Sequence, residues 1–430
     1  MLLLELRRGE ASRVAFVLAL IGGWYLVTAD PADSDWIGWW TQAAIEPQIF
    51  AVIVMGSIMS TVAAWTAGRG YRHRTRAWTD TTPRGGWTQH LVLWAAAWLC
   101  CLVAYALFVL IAFLRTASVS EVFEPVWTPV LLGAGMLGLQ TAVGVAVGAL
   151  VPVRLTAPLV GAAWYGLFVA LAFFPHLPLV KLFPAIDEHW DQFLRPLDSR
   201  LLLATVWCLA AAVAVLALPA ALRRPLVAPR AYAAVPAALL ALAAGGTLLT
   251  RPLGLDSFWA AERAQPARPL CTTSGRTTAC MWPDDRHLLT QVENAVAYVD
   301  KVTGPFRDFQ HRYYQRGLGP SHGPGVELQV NSPQIRTDAL ISDMLYGAVE
   351  PGPNCGDDPV TMREAGGYPD THFVEAVLHR RAKIVGTEYG DQFSAAVDRF
   401  VKAPRAEQDA WLNAAARQIR ACRPVPPLPR

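Results

Sequence analysis

Seven stretches apolar and long enough to cross a bilayer lie in the first 250 residues of this chain, at 14–29, 47–67, 89–114, 126–151, 157–174, 201–219 and 231–250. A hydrocarbon core of about 30 Å takes roughly 20 apolar helical residues. Lipid offers the backbone no hydrogen-bond partner, so each stretch is predicted to be a helix. Charged residues divide as 29 in the first 250 positions and 42 in the last 180. That contrast predicts a membrane-embedded front and a water-soluble tail, with the boundary near 251. The first stretch reads as a retained span, because Glu5 and Glu10 spoil the basic leader that a signal peptide needs.

Short-loop arginine and lysine resist translocation, so their distribution predicts orientation. With the N-terminus in the cytoplasm, that side holds twelve: Arg7, Arg8, Arg13, Arg69, Arg72, Arg74, Arg76, Arg84, Arg154, Arg223, Arg224 and Arg230. The opposite loops hold four, Arg115, Lys181, Arg195 and Arg200. Seven crossings that start inside finish outside, which predicts an exported tail over 251–430. Cysteine usage is an independent check: Cys100, Cys101 and Cys208 fall in spans, and the even set Cys271, Cys280, Cys355 and Cys422 falls in the tail. Four exported cysteines allow three pairings. Cys271 with Cys280, closing a small loop, and Cys355 with Cys422, clamping the last helix, are favoured; free buried thiols are the alternative. A net charge of +3, from 37 basic and 34 acidic residues, excludes a nucleic-acid binder that tracks phosphates.

The spans are read as free of Asp, Glu, Lys, Arg and His, which disfavours a carrier driven by its own ion site. Any energy is then expected from another subunit. Ser57, Ser60, Thr61 and Gln140 are candidates to line a path; satisfying nearby carbonyls is the commoner role of such residues. Gly133, Gly135, Gly138, Gly144 and Gly148, including a Gly-x-x-x-Gly pair, predict close approach of a neighbouring backbone. The loop from Gly68 to Thr88 carries five arginines, and Tyr71 to Thr79 has the pattern of a short amphipathic helix on the inner surface. On chemistry alone that loop reads as a topology determinant touching anionic lipid.

The order of elements resembles the permease subunit of a type-2 ATP-binding-cassette exporter. Leu2, Leu3, Leu4 and Leu6 beside Arg7 and Arg8 form a leading amphipathic segment. After the second stretch comes the loop Gly-Arg-x-Tyr-Arg-x-x-Thr, then Thr-Thr-Pro-Arg, and between the fifth and sixth an amphipathic excursion, Phe174 to Arg200, is broken by Pro175, Pro178 and Pro184. The resemblance covers residues 1–222 and implies an all-α polytopic membrane protein with a six-helix bundle, paired with a copy of itself or a second permease. It also implies a cytoplasmic ATPase partner that binds the ATP and magnesium, so that this chain holds no cofactor, no metal and no catalytic residue. By similarity, Tyr71, Arg72, Arg74, Thr75 and Arg76 form the coupling helix that docks on that ATPase. A seventh span within 223–250 is an addition to the family pattern. Arginine over lysine, 33 to 4, suits the plasma membrane of a GC-rich bacterium.

The tail, 251–430, is predicted to be mostly helical, with helices over 284–299, 336–349, 371–385, 390–402 and 405–421 and a strand at 326–330. Asp284 and Asp285 are placed as helix caps, and Trp282, Phe400 and Trp411 as core. His372, Glu375 and His379 share one helix face. The zinc-peptidase spacing is nevertheless absent, and Arg380, Arg381 and Lys383 oppose a cation there. No Walker lysine loop and no Gly-x-Ser-x-Gly elbow occurs. The alternative to an exporter subunit is a membrane-anchored receptor or enzyme whose work lies in this tail.

Overall fold

The computed structural model describes residues 2, 5–6, 9–30, 34, 36–73, 86–120, 123–174, 194–223, 245–246, 260–264, 266, 268–319, 325–328, 330, 335–349, 370–383, 391–421, 423 and 425–426. They are mostly helical and form two units, Met1–Glu262 and Arg263–Arg430.

Six helices of the first unit are long and apolar enough to span a bilayer. They are α1 (Glu10–Thr28), α2 (Trp40–Ala67), α4 (Gly86–Ala117), α5 (Thr128–Leu150), α6 (Thr156–Phe173) and α7 (Asp198–Arg223); a one-turn helix α3 (Arg69–Arg72) follows α2. This is the polytopic helical membrane protein that the hydropathy predicts. Of the seventh stretch, 231–250, only residues 245–246 are described.

The helix α5 is central, with 72% of its apolar window buried against 28% for α6. Its glycines explain why. A Cβ on Gly144 would lie 2.3 Å from the Ser60 carbonyl oxygen, and one on Gly148 would lie 2.2 Å from that of Ala64. Two glycines one turn apart therefore bring the α2 and α5 backbones into direct contact, which is the packing predicted from Gly-x-x-x-Gly.

The helix α2 starts at Trp40 rather than at 47. Gln42, Glu46, Pro47 and Gln48 depress the hydropathy there, but the fold accommodates them. Gln48 Nε2 donates to the Pro129 carbonyl at 2.8 Å, and Glu46 accepts from the Tyr25 hydroxyl at 3.1 Å. Spans free of ionisable groups are thus not what the structure shows: Glu46 lies in α2 and His90 in α4, each within about two turns of a helix start. Pro47 lacks the amide of an α ladder, and directly after it the helix widens to a π segment, Ile49–Met55.

Arg115, in the last turn of α4, has a structural task. It donates to the carbonyls of Leu26, Val27 and Ala29, the unsatisfied end of α1. Arg195 lies 3.8 Å from Glu124. Beside it, β1 (Leu194–Pro196) pairs antiparallel with β2 (Ala260–Glu262). The excursion over 175–193 lies outside the described residues.

The second unit carries a four-stranded sheet of β3 (Leu270–Ser274), β4 (Thr277–Met281), β5 (Arg312–Gln315) and β6 (Val326–Leu328), in that order. The strands β3 and β4 form a hairpin; β4, β5 and β6 run parallel. Around the sheet lie α8 (Leu289–Thr303), α9 (Thr337–Tyr346), α10 (Asp370–Arg381), α11 (Asp391–Phe400) and α12 (Arg405–Arg420). Only β6 was expected of the sheet. Cys271 and Cys280 are direct cross-strand partners and form a disulfide, with Cα atoms 4.0 Å apart. Cys355 and Cys422 lie outside the described residues.

Asp284 and Asp285 do not cap a helix. Asp284 pairs with Arg263, and Asp285, fully buried, accepts from Gln315 Nε2 at 2.6 Å. The hairpin turn is held from α8: Asp300 Oδ1 accepts from the amides of Arg276 and Thr277 and from the Thr277 hydroxyl. Gly275, at φ +53°, makes that turn where a side chain would meet the same carboxylate. Trp282, Phe400 and Trp411 are core residues, the last two meeting edge to face at 5.0 Å.

Candidate functional site

In the first unit Ser60 and Gln140, singled out from the sequence, lie at the contact between α2 and α5, and the Thr61 hydroxyl faces Gly161 of α6. Ser57 Oγ donates to the Ile53 carbonyl at 2.6 Å, Ser60 Oγ to that of Ser57 at 2.9 Å and Thr61 Oγ1 to the same oxygen at 3.3 Å. Each hydroxyl therefore bonds one turn back in its own helix. Gln140 is different. Its Nε2 crosses from α5 to the Val52 carbonyl at 2.9 Å. That carbonyl lies in the π segment, where the Gly56 amide still bonds five residues back to Ala51. A ladder returning from five- to four-residue spacing skips one acceptor, and Gln140 fills the vacancy.

Two buried polar atoms at this contact have no hydrogen-bond partner among the described residues, Gln140 Oε1 and the Tyr105 hydroxyl. Gln140 is 0% exposed and Tyr105 2%. Leaving such a group unsatisfied costs about 1–3 kcal/mol. Both face a glycine: a Cβ on Gly56 would lie 1.9 Å from Gln140 Oε1, and one on Gly133 would lie 2.5 Å from the Tyr105 hydroxyl. Gly133 and Gln140 are seven residues apart, on one face of α5. Tyr105 escapes a reading of sequence because a tyrosine in an apolar helix looks like packing; only the tertiary contacts expose the missing bond. Trp94 and Trp98 of α4, by contrast, donate from Nε1 to the Gly138 and Ala134 carbonyls of α5 at 2.8 and 3.0 Å.

In the basic loop after α2, Tyr71 and Arg72 are described, and Arg74, Thr75 and Arg76 lie outside the described residues. Tyr71 is exposed. Arg72 folds back on α2: its Nη2 donates to the Trp65 carbonyl at 2.5 Å and its guanidinium stacks 3.8 Å from the centroid of the Trp65 ring. The arginine thereby caps the last turn of α2 and fastens α3 to it.

At the opposite end of α2, Trp36, Ile37 and Trp39 are buried next to Trp40, whose ring meets Phe113 and Phe123 at 5.6 and 5.0 Å. This aromatic cluster was legible as Trp-Ile-Gly-Trp-Trp, three indoles in five residues, and suits a membrane interface.

In the second unit, Ser342 of α9 approaches α10. Ser342 Oγ lies 3.1 Å from His379 Nε2, and Glu375 Oε1 lies 3.9 Å from His379 Nδ1. Glu375 and His379 are buried. Burial pulls the imidazole below its ordinary pKa, against the opposing pull of the Ser342 and Glu375 backbone, so the ring is neutral at neutral pH. The side chain of His372, grouped with these two from the sequence, lies outside the described residues.

Comparisons of the chain with protein-family models, with curated proteins and with solved structures find no match.

Proposed function

We propose that the chain is the membrane subunit of an ATP-driven exporter of the type-2 ATP-binding-cassette class, sitting in a bacterial plasma membrane. It pairs with a second permease, itself or a relative, and a cytoplasmic ATPase supplies the ATP and magnesium chemistry. The observation that carries this reading is the clamp of α3 on α2. The second span breaks at Gly68 into a separate basic turn, and Arg72 ties that turn to Trp65. A push on the 69–84 loop would therefore be delivered to α2, and through the glycine contacts at Ser60 and Ala64 to α5.

The same proposal places the tail outside the cell, and one register supports it. The helix α7 leaves β1 at Asp198 and ends about 38 Å away at Arg223. By Ala260 the chain is back beside Pro196, in the β1–β2 pair. Between them, a Cβ on Gly245 would lie at ordinary packing distance, 3.6 Å, from the Trp207 indole, part-way along α7. A seventh crossing within 231–250 would make that return. The Cys271–Cys280 disulfide suits the oxidising side.

Copurification tests the docking. The wild type is expected to bring down a nucleotide-hydrolysing partner, and the pair Arg74→Glu and Arg76→Glu to lose it. Retention by the double variant would remove the docking claim.

The second reading, an exported enzyme on a membrane scaffold, is favoured by Ser342 and His379. Ser342 Oγ would attack an acyl carbonyl while His379 Nε2 takes its proton and returns it to the departing alcohol. A fluorophosphonate probe should then label the wild type and not Ser342→Ala; equal labelling of both would dismiss this reading.

A further inference from the structure

The contact between α2 and α5 holds more polarity than packing explains. Phenylalanine at 105 would fill the same space without a buried hydroxyl, yet Tyr105 is there with no partner among the described residues. Gln140 places its amide nitrogen on Val52 and leaves its carbonyl oxygen against Gly56. In lipid an unmet donor and an unmet acceptor find no water to relieve them. Both occupy the room that a glycine's missing side chain provides, and both lie along the α2-facing side of α5. The α2 wall opposite carries an irregular stretch of helix ladder, the π segment 49–55. Such segments shift register readily, and they mark moving or functional positions in helices.

We propose that this seam is the closed form of a passage, and that Tyr105 and Gln140 are its polar contacts for cargo. The inference rests on the transport reading, though not on the identity of the motor. When α2 parts from α5, Tyr105 offers a hydroxyl donor and Gln140 a carbonyl acceptor, with Ser57 and Ser60 beside them. None of these groups is charged. The ionisable side chains of the described helices lie within about two turns of helix ends, Glu46 towards one end of the bundle and His90 towards the other. A bare charge entering the seam would meet no counter-charge there. The cargo is therefore a molecule whose passing portion is uncharged and hydrogen-bonding, such as an amide or hydroxyl group on an otherwise apolar body.

Site-resolved alkylation tests this on the full chain in its native membrane. Ser57→Cys and Ser60→Cys are conservative replacements at residues 4% and 0% exposed. Cys101 and Cys208, 0% and 1% exposed in the same bundle, serve as built-in controls. The engineered thiols are expected to react with N-ethylmaleimide at least about tenfold faster than Cys101 and Cys208, as read by mass spectrometry, because the seam opens to water and thiolate forms there. Reaction at the control rate would overturn the proposal. Tyr105→Phe adds a second readout. Its thermal unfolding midpoint is expected to equal or exceed that of the wild type; a clear fall would show that the hydroxyl was bonded after all and would remove the premise. Neither outcome depends on an ATPase, so failure of the docking claim and failure of the seam are separable.

Discussion

Single side chains at the edges of this protein do more of the structural work than their exposure suggests. Arg72 looks like a docking residue from its loop, but it is spent on Trp65, so its loss should act on α2 first. Arg72→Ala is expected to cost about 0.5–1 kcal/mol, seen as a lowered unfolding midpoint in detergent. Asp300 is the corresponding hub in the tail. Asp300→Ala frees three donors at the β3–β4 turn and is expected to cost about 1–3 kcal/mol, measured as faster proteolysis of the tail in the full chain. His379 sets a pH dependence. Its folded pKa is depressed by burial, so the folded state takes up a proton less readily than the unfolded one. Stability is then whole above the ordinary value near 6.5 and is lost as the pH falls from there through the folded value. Acid-induced opening of the tail should begin below about 6.5 in the wild type and be blunted in His379→Gln.

Between elements, the glycine contacts make a matched pair of predictions. Gly148→Ala drives a methyl group into the Ala64 backbone and is expected to destabilise by about 1–3 kcal/mol. Gly166→Ala in α6 meets nothing within 4 Å and should stabilise by about 0.5–1 kcal/mol, both read from detergent unfolding midpoints. What could be foreseen at this scale follows from range. The six long helices of the first unit were legible because lipid imposes one length and one composition on each. Gly144 and Gly148 were legible because helix periodicity alone puts them on one face, and Cys271 with Cys280 because a hairpin is local. The start of α2 was missed by hydropathy, since Glu46 and Gln48 are satisfied by partners distant in sequence, Tyr25 and Pro129. The parallel pairing of β4, β5 and β6 joins strands of three to five residues across long gaps, which leaves no periodic trace. Ser342 and His379 are 37 residues apart, and nothing in either neighbourhood announces the other. The unmet atoms of Tyr105 and Gln140 are tertiary facts altogether.

For the molecule as a whole, the issue is how many times the chain crosses the membrane, because on the proposed orientation an odd count exports the tail and an even count would keep it inside. The register of β1 with β2 supports the odd count without reference to hydropathy, since Ala260 cannot pair with Pro196 from the far end of α7. The arginine distribution points the same way, the more so because Arg115, on the minority side, is held there as a helix cap. Fusing a reporter that is active only outside the cytoplasm, once after Arg223 and once after Glu262, tests this most directly. Activity at the second junction and silence at the first is the predicted result; the same state at both junctions would contradict it.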